Sequence, residues 1–111
     1  MKATIWHNPR CGTSRNTLAL LEQAGAEVAI FDYLKAPPSA EELRRIYAKA
    51  GISPREGLRS REPGAEALTD ATDEQIIAAM LRDPILIQRP LVETDKGAVL
   101  ARPPELVRDI L

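Results

Sequence analysis

One cysteine, one histidine, one tryptophan and one phenylalanine are all that the 111-residue chain holds of these four types. A single cysteine excludes an internal disulfide, which agrees with a reducing compartment, so a cytoplasmic protein is expected. His7 and Cys11, four positions apart, supply two ligands and no second cluster, so no metal is expected. No window approaches the roughly 20 consecutive apolar residues of a membrane span. The opening MKATIWHNP also lacks the apolar core of a secretory signal, and neither a membrane nor export is expected.

An excess of charge of either sign is missing too. Lysine plus arginine number 15 against 16 aspartates and glutamates, a net charge of −1 that makes no electrostatic case for nucleic acid or an acidic surface. The cations are nonetheless mostly arginine, 11 against 4 lysines. The planar guanidinium suits tetrahedral oxyanions, although a GC-rich genome also enriches arginine. Hydrophobic residues at 44% and charged residues at 28% exclude a disordered chain. A chain of this length hides roughly two-thirds of its unfolded surface. A single domain over residues 1–111, acting as a monomer, is expected.

The rare residues are gathered in one place: Trp6, His7 and Cys11 all lie in WHNPRCGTSRNTL, residues 6–18. Ala3 to His7 reads as a short strand ended by Asn8-Pro9. From Gly12 the period becomes helical, with Leu18, Leu21 and Ala24 on one face and Gly25 as the stop. Glu27 to Tyr33 alternates as a second strand, with Val28 and Ile30 on one side. This opening βαβ unit predicts parallel strands.

After Ala36-Pro37-Pro38, Ser39 and Glu42 have capping-box spacing and open a helix with the stripe Leu43, Ile46, Tyr47 and Ala50, closed by Gly51. Ser53-Pro54 suggests a further helix start. Arg59 to Ala71 reads as loop. Thr72 and Gln75 repeat the capping-box spacing before Ile76, Ile77, Met80 and Leu81, and Asp83-Pro84 ends that helix. Leu91 to Thr94 and Ala98 to Ala101 read as a hairpin around Asp95-Lys96-Gly97. Pro103-Pro104 opens a last helix, Glu105 to Leu111. The order predicts an α/β protein with a thioredoxin-like fold: a mixed four-stranded sheet flanked by helices, with a helical insertion.

Cys11 falls between a strand end and the first turn of a helix, where unpaired N–H groups and the macrodipole favour an anion. A thiolate there is expected to have a pKa below the free value of about 8.5, with His7, Arg10 and Arg15 as nearby cations. The same position also suits a small buried hydrophobe, and His7 also suits a hydrogen-bonded structural role. Arg15 follows Cys11 by four positions, which excludes the wider cysteine-to-arginine loop of low-molecular-weight phosphatases. If Cys11 forms a covalent adduct, no other cysteine of the chain can resolve it, so glutathione or a glutaredoxin is implied.

HNPRCGTSRNTL, YLKAPPS, DPILIQRPLV and LARPPELVRDIL together resemble the ArsC family of glutaredoxin-coupled arsenate reductases and their paralogues, over essentially the whole chain. The resemblance implies a thioredoxin-like fold with Cys11 as the nucleophile and arginines 59, 89 and 102 as the oxyanion site. Arg61 is the other candidate for the place of Arg59. It also implies supporting roles for His7, Asn8, Ser14 and Arg15, a Ser14 hydroxyl that bonds the thiolate or else helps satisfy the first helical turn, and a cis Arg89–Pro90 bond. Reduction of arsenate to arsenite would follow, with glutathione as co-substrate, glutaredoxin as partner and no bound cofactor. Two alternatives are a glutathione-dependent thiol oxidoreductase, which the ending ARPPELVRDIL resembles in being similar to shorter paralogues, and a Spx-like regulatory binding module. The latter switches through Cys-x-x-Cys, and here position 14 is serine.

Overall fold

A computed structural model describes residues 1–111. Two compact units are formed, one from Met1–Tyr33 and Arg89–Leu111, the other from Leu34–Gln88. The first carries the sheet: β1 (Lys2–Trp6), β2 (Glu27–Phe31), β3 (Leu91–Thr94) and β4 (Gly97–Leu100) in the order β2-β1-β3-β4. β1 pairs parallel with β2 and antiparallel with β3, and β3 pairs antiparallel with β4, so the sheet is mixed as expected. No helix is long and apolar enough to cross a membrane.

Strand alternation sends Ala3, Ile5 and Val92 to one face, where they meet Leu21 of α1 (Gly12–Gln23) and Val107 and Ile110 near the C-terminus in one buried cluster. α1 ends as its glycine predicts. Gly25 takes φ 78°, and the N–H groups of Gly25 and Ala26 reach back to the carbonyls of Glu22 and Leu21, a Schellman ending. Leu21 is in the cluster and Leu18 packs against it as expected, but Ala24 is the C-cap and exposed, and Ser14 and Thr17 are the other buried residues of α1. Val28 packs against the cluster, but Ile30, on the same face, stays 57% exposed because β2 is an edge strand with one neighbour.

The last helix is 3-10, over Pro104–Ile110. Its two buried residues, Val107 and Ile110, are three apart, and three residues per turn put both on the core side. The hairpin is shifted by one residue from expectation. Gly97 pairs with Thr94 inside β4 and leaves a two-residue turn, and a Cβ at Gly97 would come within 3.2 Å of the Ile110 Cγ2.

In the second unit, α2 (Ala40–Ala50) buries Leu43, Ile46 and Tyr47, and α3 (Asp73–Arg82) buries Ile76, Ile77, Ala79 and Met80. The Ser53-Pro54 start yields one capped turn and no helix. Ser53 and Glu56 exchange side-chain bonds to each other's N–H groups, yet Gly57 lies so close to the Tyr47 ring that no Cβ fits there. Leu58 then leaves to bridge Ile87. The segment read as loop contains a 3-10 helix, Pro63–Leu68, started by its proline and anchored by buried Ala65. Another short one follows α3 at Pro84–Leu86.

Candidate active site

β1 delivers the chain into a loop that is pinned residue by residue. The His7 N–H donates to the Phe31 carbonyl at 3.0 Å, extending the β1–β2 ladder by one bond. Asn8 then shapes the turn: its side-chain oxygen accepts from the Arg10 N–H and its carbonyl from the Cys11 N–H, both at 3.0 Å. Arg15, from the first turns of α1, donates through Nη1 to the Pro9 carbonyl at 2.8 Å. Beneath the loop Trp6 is buried and meets Phe31 edge-on, with ring centroids 5.1 Å apart.

Cys11 is the N-cap of α1, with extended backbone (φ −94°, ψ 121°) and 7% exposure. No side chain caps the helix and no acidic residue stands in its first turn. Burial pushes the thiol pKa up, but it is outweighed by the Ser14 amide, the positive charge of Arg89, the Thr13 amide and the Arg102 guanidinium, so the net direction is down. Arg102 Nη1 lies 3.9 Å from Cys11 Sγ and donates to the Arg89 carbonyl at 3.1 Å. The bonds Arg89–Pro90 and Arg102–Pro103 are both cis, the first as expected.

Ser14 departs from expectation. It is completely buried, and its hydroxyl meets His7 Nδ1 at 2.6 Å and accepts from the Asn8 N–H at 3.1 Å. The hydroxyl therefore ties helix to strand end, and only the Ser14 amide reaches the sulfur's surroundings. The reason is geometric: side chains in a helix lean back toward its N-terminus, which here is the end of β1. His7 is also not a cation. Burial lowers its pKa most, Asp32 opposes this, and Arg15 lowers it further, so the ring is neutral near pH 7.

The sheet unit thus brings together Cys11, Arg89 and Arg102, with His7, Asn8, Ser14 and Arg15 as the frame of the loop. Arg59 belongs to the other unit, where its N–H donates to the Leu86 carbonyl at 2.7 Å and its Nε lies 3.5 Å from Glu62. Arg61 is exposed. The Thr13 amide and the Asp32 charge were not anticipated. The first is implied by any N-cap position, whereas the second depends on where β2 ends beside His7. No group of three or more His, Cys, Asp or Glu side chains could hold a metal ion. What the arrangement offers is a lowered thiol at a helix N-terminus, with two guanidinium groups for an oxyanion.

A sequence model of the ArsC family matches residues 6–110. An arsenate reductase of Rhizobium meliloti (strain 1021) is 50% identical over 115 residues, covering 100% of this chain and 82% of its own length. One from Escherichia coli is 49% identical over 112 residues, covering 97% of this chain and 79% of its own. Among solved structures, an arsenate reductase from Vibrio cholerae superposes with a TM-score of 0.94 at 40% identity, covering 100% of this chain and 98% of that one.

Proposed function

Since the chain belongs to the ArsC family, we propose that it reduces arsenate to arsenite through Cys11, with glutathione and glutaredoxin as reductants in a reducing cytoplasm. The observation that carries this reading is the Arg102 guanidinium 3.9 Å from the sulfur of a thiol whose pKa is held down at the start of α1.

The Cys11 thiolate attacks arsenic, an S–As bond forms, and a protonated oxygen leaves as water. Arg89 and Arg102 hold the remaining oxygens and offset their charge. The resemblance to the family's motif favours Arg59 as a third arginine, with Arg61 as the other candidate. A glutathione thiolate then attacks Sγ: an S–S bond forms, S–As breaks, and its electron pair stays on arsenic, which passes from As(V) to As(III). Glutaredoxin exchanges thiols with the mixed disulfide, taking up the glutathione and returning Cys11 as thiolate. His7, Asn8, Ser14 and Arg15 keep the sulfur in place and touch no substrate.

Purified protein with glutathione, glutaredoxin, glutathione reductase and NADPH should consume NADPH only when arsenate is added, and Cys11→Ser should abolish this. A rate no greater than background in the unaltered protein would sink the proposal. Turnover of a disulfide without arsenate would favour the thiol oxidoreductase reading. Arg59→Ala beside Arg61→Ala decides the third arginine by which of the two loses arsenate turnover.

A further inference from the structure

Around Cys11 the cations are not all engaged alike. Arg102 donates to the Arg89 carbonyl and faces the sulfur, and Arg89 lowers the thiol through its charge. Arg15 is spent on the Pro9 carbonyl. Arg10, immediately before the nucleophile, is exposed and its guanidinium has no protein acceptor, while its own N–H is fixed to Asn8 Oδ1. The side chain therefore projects from a turn with a fixed backbone. From residue 6 to residue 18 there is no acidic residue to neutralise it.

The second half-reaction gives such a cation a task. Once the oxyanion is bound to sulfur, the two inner guanidinium groups are occupied, and the thiol that arrives from solvent is itself an anion, with two carboxylates against one ammonium in glutathione. Resting on the function proposed above, we propose that Arg10 is the specificity-determining residue that selects a carboxylate-bearing thiol for attack on the Cys11 adduct. It recognises charge at the rim and takes no part in binding the oxyanion.

The test compares glutathione with its diethyl ester, in which both carboxylates are blocked, as reductants in the arsenate assay. An exposed ion pair is worth little, so Arg10→Ala should raise the KM for glutathione about three- to fivefold. It should leave the KM for the ester as it is, so that the preference for the free acid disappears. Arg10→Lys should restore most of the preference, and higher salt should erode it in the unaltered protein alone. If Arg10→Ala keeps the full preference for free glutathione, the assignment is overturned. If no thiol supports arsenate-dependent turnover of the unaltered protein, the proposed function falls as well, a different result from a lost preference.

Discussion

At the start of α3 the helix supplies its own N-terminal needs. Thr72 accepts from the Gln75 N–H, Gln75 accepts in return from the Thr72 N–H, and Asp73 and Glu74 set negative charge against the dipole. α2 does nearly the same: Ser39 accepts from the Glu42 N–H and Glu41 and Glu42 stand in the first turn, although the Glu42 carboxylate turns to Arg45 and leaves half the box unmade. At the start of α1 all of this is missing. Its N-cap is a cysteine, its first turn holds no acid, and two arginines from distant segments gather there instead. The same backbone electrostatics is used up internally in α2 and α3 and is left available to an external anion in α1.

Several changes would break or sharpen this contrast. The largest effect is expected from removing the arginines: Arg89→Ala and Arg102→Ala should each lower arsenate kcat/KM on the order of 10²- to 10³-fold, the range seen when one oxyanion donor is lost. Unchanged turnover in both would refute their role. A smaller loss, about tenfold, should follow from making α1 resemble α3 through Gly12→Asp. There is room for that side chain, since a Cβ at Gly12 meets only Arg15 Nη2, at 3.7 Å. Its carboxylate would take the anion's place, so activity should fall while thermal stability holds or rises. If activity persists, the open first turn is unimportant.

The pH dependence of Cys11 alkylation by iodoacetamide comes next. The folded pKa is lowered, so the thiolate persists to lower pH than in an ordinary cysteine, and reactivity should be lost only as pH falls through that depressed value. Arg102→Ala removes one lowering influence and should move the midpoint upward. A midpoint that stays put would exclude the guanidinium as a cause. The smallest effect belongs to the opposite helix: Thr72→Ala should cost about 1 kcal/mol in urea unfolding and leave arsenate turnover intact.

Signals with a local cause were legible in the residues. Ser39, Thr72, Gly25 and Gly51 mark helix ends because a cap involves neighbours three or four positions away. Where a second segment decided the outcome, legibility failed. Ser53-Pro54 predicts a helix start and Ser53 and Glu56 do cap one turn, but the Tyr47 ring against Gly57 and the bridge from Leu58 to Ile87 draw the chain away after it. Ser14 shows the same limit at the site. The family resemblance implied a bond from its hydroxyl to sulfur, and the buried imidazole of His7 meets the hydroxyl instead.

The sequence by itself determined that a lone cysteine begins a helix, that no other cysteine of the chain can resolve it, and that caps and turns arrange the elements in this order, because each of these rests on residue chemistry or on contacts within one turn. Arg89 and Arg102 were named only through the family resemblance, and it is the tertiary structure that brings their charges to the sulfur. Arg102 stands 91 positions from Cys11 and arrives 3.9 Å from it because β1 and β3 are neighbours in one sheet and the chain leaving β4 stays bonded to the segment that enters β3, through Ala101 to Pro90 and Arg102 to Arg89. Coulombic influence falls with distance in space, and separation along the chain gives no measure of that distance before the sheet has formed.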